Sequence, residues 1–219
     1  MSRCRVRLTC LAFTLAVALA AARGAAPIKT IALSPTRLPD GLDNPEPVRD
    51  LFDSLLAGEL AHAGVTVIPS TEAGAIWKRL ADSVHGFYSA ITGERVEAKY
   101  RAVMDGTRRE LADRFHADAW LRPRIEVVPV DFQDGKARWD GASEGMGRGS
   151  SGTAPALSLV VSVSDMSGTE IYSGRGGIRV LSKGSKNISR DKFFEDSKRN
   201  LQALHLAIDS LAARLRVSP

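Results

Sequence analysis

The stretch LLAGELAHAGVTVIP, residues 55–69, decides the fold. Its first half completes a run of apolar residues at helical spacing that starts at Val48. Gly64 is typical of a helix end, and the β-prone residues 65–68 follow it directly. Because residues 28–33 upstream are also β-prone, the chain opens with the order strand, helix, strand. This order predicts two parallel strands with the helix packed on one face of the sheet.

Residues 71–117 are helical in character. An apolar stripe at helical spacing runs from Ile76 to Ile91, Thr92-Gly93 interrupts it, and a second stripe runs from Val96 to Phe115. We interpret this segment as an insertion or as a helical cap over the sheet.

The second half of the chain is rich in β-prone residues. Residues 124–132 predict a third strand. Pro123 and Pro129 cannot donate to a ladder, so this strand should be bulged, interrupted or at a sheet edge. Residues 157–164 and 170–181 predict an antiparallel hairpin, and an amphipathic helix then closes the chain.

These elements predict one α/β (α+β) domain over residues 27–219, in the order β-α-β-α-α-β-β-β-α. Its mixed sheet should have about five strands flanked by helices. Within the domain we expect a helical segment at 71–117 and a Gly-rich hairpin loop at 134–155.

Residues 1–26 have the pattern of a secretory signal peptide. Three arginines precede an apolar run at residues 8–22, and small residues typical of a cleavage site follow the run. The run is too short for a comfortable transmembrane span. Cys10 lies inside the run, without the lead-in that a lipidated cysteine has. We therefore expect a periplasmic or secreted protein that is cleaved, is not lipidated and has no membrane span after cleavage.

Cleavage changes both the charge and the chemistry of the chain. Four of the 30 basic residues lie before Pro27, which leaves 26 basic residues against 25 acidic ones. The remaining chain is thus nearly neutral, and nucleic acid is not an expected partner. Cys4 and Cys10 are also removed, which excludes disulfides, thiolate metal sites and thiol nucleophiles. The domain must then be stabilised by its core.

GRGSSG, residues 147–152, matches the glycine pattern of a dinucleotide site. Such a site needs a helix N-terminus after the glycines, but Ala154-Pro155 and a strand follow here. We therefore expect no cofactor and interpret the stretch as a loop between antiparallel strands. Trp139 either packs on the sheet or is exposed for binding. Our candidate partner-binding residues are Trp139, Asp140 and Arg148.

The sequence contains no recognisable catalytic or metal-binding motif. The four histidines form neither a His-x-x-x-His nor a His-Glu-x-x-His pair, and Gly-x-Ser-x-Gly does not occur. The closest approach to a metal cluster is His116 with Asp113 and Asp118, which we interpret as solvated charges at a helix-to-strand junction. We therefore expect that the protein is not an enzyme and binds no metal.

The order of elements and several phrases resemble a family of bacterial envelope domains. The family comprises the periplasmic α/β domain of the curli secretion lipoprotein, the penicillin-binding-protein activator lipoproteins and the amino-terminal domain of the Tol–Pal translocation protein. The resemblance rests on residues 55–69, on FHADAWLRPRI at 115–125 and on LSLVVSVSDMSGTEIYSG at 157–174. The chain departs from the family in its two-helix segment, its long Gly-rich loop and the missing lipidated cysteine. The resemblance implies a non-enzymatic protein-binding domain and carries no catalytic residues.

Two functions are compatible with these observations. The first is an exported, non-enzymatic interaction or accessory protein of the bacterial envelope that binds an envelope protein partner. The alternative is a secreted hydrolase or small-ligand-binding protein with a site near Trp139 and residues 140–152. That alternative requires a deep pocket at Trp139 with a carboxylate or histidine in its wall. The sequence leaves the oligomeric state open.

Overall fold

A computed structural model describes residues 27–89, 91–181 and 190–217. The predicted signal peptide, residues 1–26, lies outside these ranges. The elements in chain order are β1 (Thr30–Leu33), α1 (Pro45–His62), β2 (Thr66–Ile68), α2 (Ser70–Ser83), α3 (Glu97–Phe115), β3 (Ala119–Gln133), β4 (Lys136–Trp139), β5 (Ala142–Gly145), β6 (Gly152–Asp165), β7 (Glu170–Val180) and α4 (Ser197–Val217), with a 3-10 helix at Arg190–Phe194. The predicted α/β class with a mixed, helix-flanked sheet is confirmed.

The described residues form one sheet of seven strands. β1 lies between β2 and β3 and is parallel to both, with Ile31 opposite Val67 on one side and Ala119 on the other. β6 pairs antiparallel with β3 and with β7. The predicted parallel β1–α1–β2 unit and the β6–β7 hairpin are therefore both present.

β3 is an uninterrupted strand in spite of its two prolines. Its pairing with β6 continues without a register shift from Ala119 to Phe132, so the expected bulge or interruption is wrong. The carbonyl of Pro123 accepts a hydrogen bond from Arg37 N, on the side of β3 that faces away from β6. Pro129, six residues later, lies on that same side. β1 ends at Leu33, so the prolines remove no hydrogen bond from a central ladder.

Helices cover the two faces of the sheet unequally. α1 and α4 pack on one face, where Phe52, Leu121, Leu159 and Ile208 belong to the largest buried cluster. α2 and α3 pack on the other face, over β1, β2 and the start of β3, around the buried Trp120. The rest of this second face is formed by β3, β6 and β7. Its far end is covered by the β4–β5 hairpin, where Val130, Ala137, Ala156 and Val180 form a third buried cluster. Polar side chains lie between that cluster and the two helices.

α4 lies unusually close to β7, because β7 has glycines where the helix crosses it. A Cβ atom at Gly174 would lie 2.0 Å from the Ala207 carbonyl oxygen, and one at Gly176 would lie 1.9 Å from the Ala203 oxygen. The Tyr172 hydroxyl donates to the same Ala207 oxygen at 2.6 Å. The two glycines thus set the distance between the helix and the sheet.

The segment predicted as a Gly-rich loop, residues 134–155, contains β4, β5 and the first residues of β6. Asp140 and Gly141 connect β4 to β5 with φ of 40° and 76°, as a two-residue hairpin turn requires. The hairpin curls back to β7, since Gly177 N donates to the Asp140 carbonyl at 3.0 Å. Glu144 fixes it further by accepting from Val180 N and from Arg199 of α4. The loop prediction is therefore wrong over most of its length.

The predicted first stripe of residues 71–117 extends beyond the helix that forms there. α2 ends at Ser83, and His85 and Gly86 then adopt left-handed backbone conformations with φ of 56° and 79°. Ile91, expected on the apolar stripe, consequently lies in the α2–α3 connection, where it is 95% exposed.

Candidate functional site

The candidate site is the polar part of the sheet face that α2 and α3 leave uncovered. Alternate residues of β3 point to this face, and the register places residues of β6 and β7 beside them. We call this surface the open face and define it by the exposed or partly exposed residues Arg122, Arg124, Glu126, Ser173 and Arg175. The side chains of Arg124 and Arg175 are 41% and 39% exposed, so a partner can reach them.

A chain of ion pairs crosses the open face. Arg124 Nε lies 3.0 Å from Glu126 Oε2, and Arg175 Nη2 lies 2.6 Å from Glu126 Oε1. Arg175 Nε also lies 3.2 Å from Asp140 Oδ1 in the β4–β5 turn. Burial alone would raise the pKa of Glu126, but the hydrogen bonds from the two arginines outweigh it and hold that pKa below its usual value. Glu126 is therefore ionised at neutral pH.

Arg122 differs from the other arginines of the open face. Its guanidinium carbon lies 5.4 Å from the centre of the Trp120 ring, as in a cation–π contact. Its Nε is buried, and within the described residues it has no hydrogen-bond partner. Burial lowers the pKa of Arg122, and the positive charges of Arg108 and Arg124 act in the same direction. Among described residues, no carboxylate forms an ion pair with it.

Trp120 belongs to an aromatic cluster that extends to the surface. Its ring lies 6.3 Å from Trp77, which in turn lies 5.9 Å from Tyr100 and 5.6 Å from Phe87. The connection after Phe87 exposes Tyr88, which is 67% accessible, and Ile91. The backbone N–H of Ile91 donates to Ser89 Oγ at 3.2 Å, and this hydrogen bond stabilises the turn. Two exposed apolar side chains therefore lie on a turn anchored to the cluster that carries Arg122.

The structure separates the three candidate residues named from the sequence. Trp139 is half-buried: its Nε1 donates to the Leu157 carbonyl at 3.3 Å, and its indole packs over Gly177, where a Cβ would lie 2.7 Å from Nε1. The packing alternative for Trp139 therefore agrees with the structure. Asp140 is adjacent and pairs with Arg175 of the open face. Arg148 is exposed at the opposite end of the β4–β5 hairpin.

The GRGSSG stretch connects β5 to β6 and is bound to the turn between β3 and β4. Gly135 N donates to the Ser150 carbonyl at 2.7 Å, and Met146 N donates to the Gly135 carbonyl at the same distance. A Cβ at Gly135 would lie 2.0 Å from the Gly147 oxygen, so the two turns require glycine to pack together. A strand follows the glycines, as the sequence predicts, and offers no helix N-terminus for a phosphate.

The remaining candidates from the sequence have structural roles. Asp118 Oδ2 accepts hydrogen bonds from Lys29 N and Thr30 N, at 2.8 and 2.9 Å, and so holds the start of β1. His116 ends α3 in a left-handed conformation.

Within residues 27–89, 91–181 and 190–217, no group of three or more His, Cys, Asp or Glu side chains could hold a metal ion. In the same ranges, every helix is too short or too polar to span a membrane.

Two cavities lie away from Trp139. One is an open cleft of about 350 Å³ between β7 and α4, lined by Glu170, Ile171, Tyr172, Ser173, Ser210 and Arg214. The other is an apolar space of about 20 Å³ beside Phe193 and Phe194. Trp139 lines neither of them.

The open face was missed from the sequence, although a signal for it exists. Arg122, Arg124 and Glu126 alternate with residues that are apolar on the other face of the strand. Such a period of two places the three charges side by side. Arg175, which completes the ion-pair chain, lies 49 residues from Glu126, and sequence spacing does not reveal that contact.

No family model and no curated protein matches the chain. Among solved structures, lipoprotein GNA1162 from Neisseria meningitidis is similar at 18% sequence identity and a TM-score of 0.37, over 71% of this chain and 88% of that one. A PelC dodecamer from Paraburkholderia phytofirmans is similar at 14% identity and a TM-score of 0.30, over 81% of this chain and 91% of that one. At these values neither structure bears on function, and the resemblance to the curli and Tol–Pal family stays a prediction.

Proposed function

We propose that the chain is an exported, non-enzymatic accessory protein of the bacterial envelope that binds a protein partner through the open face. The observation that carries the proposal is Arg122, a half-buried cation stacked on Trp120 with no carboxylate partner among the described residues. Arginine and aromatic side chains are enriched in the energetic centres of protein interfaces, and lysine and glutamate are depleted there.

The neighbouring surface has the mixed character of an interface. Arg124 and Arg175 provide exposed, ion-paired guanidinium groups, whose planar donors suit carboxylates and backbone carbonyls. Tyr88 and Ile91 provide exposed apolar area on the turn anchored to the same aromatic cluster. A partner that covered both regions would bury apolar surface at one side and satisfy charged groups at the other.

The charged groups on the open face are suited to binding a polar partner. The pKa of Glu126 is held below its usual value, so this carboxylate is not a proton donor at neutral pH. The arginines of the face stay protonated throughout the physiological range. These charges can position a charged or polar group of a partner.

Export is the second part of the proposal, and it rests on the signal-peptide pattern of residues 1–26. We propose that the mature protein is periplasmic or secreted and carries no lipid. Cell fractionation and the intact mass of the exported protein test this part. The expected mass lacks both Cys4 and Cys10 and has no acyl addition. An acylated mass, or a full-length chain in the cytoplasm, would contradict it.

Site-specific photo-cross-linking in the native cell tests the binding surface. A cross-linking amino acid at Ser173, which is exposed on the open face, should give a discrete adduct with one envelope protein. The matched control is Ser54, which is exposed on α1 at the opposite face of the sheet. An adduct from Ser54 and none from Ser173 would place the interface elsewhere.

A further inference from the structure

We infer that the partner contributes an extended segment, which pairs as an additional strand with the outer edge of β7 at Ser173 and Arg175. This inference rests on the proposed function, because it specifies how the partner binds beside the open face. The ligand is therefore a peptide segment in β conformation, held mainly by hydrogen bonds between main-chain groups.

β7 is an edge strand, and its backbone groups at two residues point away from the sheet. Among the described strands β7 pairs only with β6. Gly177 lies opposite Ser158 of β6, yet its N–H donates to the Asp140 carbonyl outside that ladder. Successive residues of a strand point their N–H and C=O groups to alternate sides, so those of Ser173 and Arg175 also point outwards. The β6–β7 register has no shift between these residues.

The protein covers one half of this edge and leaves the other half open. The β4–β5 hairpin accepts hydrogen bonds from the backbone N–H groups of Gly177 and Val180. Within the described ranges, no hydrogen bond from outside the β6–β7 ladder reaches the backbone of Ser173 or Arg175. Both residues are exposed. A row of such N–H and C=O groups is a template for a further strand.

A cleft beside the open half of the edge provides room for that strand. It is the cleft of about 350 Å³ between the start of β7 and α4, where Ser210 and Arg214 form the α4 side. Towards the hairpin the cleft is closed by Leu206, since a Cβ at Gly141 would lie 2.6 Å from Leu206 Cδ2. An added strand would thus have α4 along one face. Its side chains on that face must therefore be small.

A second copy of the chain does not fit this edge. α4 lies directly over β7, where a Cβ at Gly174 would lie 2.0 Å from the Ala207 carbonyl oxygen. Two β7 strands paired about a two-fold axis would lie about 4.8 Å apart and would carry both α4 helices on the same face. Packed helices need about 8–10 Å between their axes, so the two helices would collide. The occupant is consequently an extended segment without a covering helix.

NMR titration of the exported protein with a defined peptide tests the inference. The probe is a blocked pentapeptide, Thr-Ala-Thr-Ala-Thr, whose alanines suit the face next to α4. We expect the backbone amide signals of Ser173 and Arg175 to shift in a saturable manner and their exchange with solvent to slow. In an antiparallel pair, directly opposite residues share a face, so the threonines lie opposite Ser173 and Arg175 and direct their N–H groups to β7.

Two N-methylated forms of the peptide separate strand pairing from other contacts. A methyl group on the nitrogen of the central threonine removes a hydrogen bond to β7 and should weaken binding at least about fivefold. The matched control has the methyl group on an alanine nitrogen, which points away from β7, and should bind like the unmodified peptide. Equal affinities of the two methylated peptides, or unshifted Ser173 and Arg175 amides, would overturn the inference.

A substitution in β7 tests the same hydrogen bond from the side of the protein. Ser173→Pro removes the outward N–H and takes no donor from the β6–β7 ladder, as proline does on edge strands. Ser173→Ala keeps that N–H and should bind the peptide at least about fivefold more tightly than Ser173→Pro. If Ser173→Pro does not fold, the methylated peptides still decide the question. A dimer of the free protein that Ser173→Pro converts to a monomer would assign the edge to a second copy and overturn the inference.

The outcome is separable from that of the proposed function. A cross-link at Ser173 together with no peptide binding would overturn the added strand and leave the interface in place. Peptide binding at the β7 edge without any cross-link would support the added strand and contradict the proposed interface.

Discussion

The contact between α4 and β7 gives the sharpest stability prediction, and Gly176→Ala is the substitution that tests it. The added Cβ would lie 1.9 Å from the Ala203 carbonyl oxygen and 2.7 Å from its carbon. Ordinary contact needs about 3.5 Å, so α4 would have to move by about 1.5 Å. A backbone atom cannot rotate away, and α4 buries Leu204 and Ile208 in the main core. We therefore expect the upper end of the overpacking range, about 3 kcal/mol of lost stability.

For a domain of this size, about 3 kcal/mol lowers the melting temperature by roughly 6–12 °C. Urea denaturation followed by circular dichroism measures the loss directly. The control is Gly58→Ala on α1, where an added Cβ meets nothing within 4 Å. This control should gain about 0.5–1 kcal/mol from the better helix propensity of alanine. If Gly176→Ala unfolded at the urea concentration of the unaltered protein, the close contact between helix and strand would be refuted.

Three further predictions follow from single contacts. Asp53→Ala should cost about 3 kcal/mol in equilibrium denaturation, because Asp53 Oδ1 accepts from both the N–H and the hydroxyl of the buried Thr36; a loss below about 1 kcal/mol would contradict this. Trp139→Ala should cost about 2 kcal/mol, since it removes a half-buried indole, and should leave partner affinity unchanged; weaker binding at equal stability would make Trp139 a binding residue. Stability should also fall as the pH drops below about 4.3, the ordinary pKa of a glutamate, because the pKa of Glu126 is lowered in the fold and its contribution requires the ionised form. Glu126→Gln should make that decline shallower, and an unchanged pH profile for this variant would argue against the assignment.

The spacing of apolar residues was sufficient to predict most of the helices and strands. The helical spacing from Val48 onwards, the stop at Gly64 and the β-prone residues after it predict β1–α1–β2, which the structure contains. The apolar stripe from Ile76 to Ile91 predicted too long a helix. Left-handed conformations at His85 and Gly86 end that helix before Ile91. Local backbone geometry decided that boundary, and apolar spacing carries no information about it.

The β4–β5 hairpin and the open face could not be predicted from the sequence, because both depend on contacts between residues that are distant in the chain. KARW and ASEG are short and polar, and they form strands only because they pair with each other and because Glu144 binds β7 and α4. The two prolines of β3 suggested an interruption of the strand. Because they are six residues apart, both lie on the side of β3 that is not hydrogen-bonded to β6, and the β3–β6 pairing is continuous. Of the residues proposed from the sequence, Arg148 lies away from the open face, whereas Asp140 contacts it through an ion pair with Arg175.

The central claim is that the open face binds the partner. Its most direct test is the affinity of the exported protein for the envelope protein recovered by cross-linking at Ser173. We would measure it by isothermal titration calorimetry for the unaltered chain and for the double variant Arg124→Ala, Arg175→Ala. The control is Arg216→Ala, which removes an exposed charge from α4, on the other face of the sheet. The double variant should bind at least about thirtyfold more weakly, as for interface residues worth about 2 kcal/mol, and the control should bind normally. Equal affinities for the double variant and the control would contradict the claim.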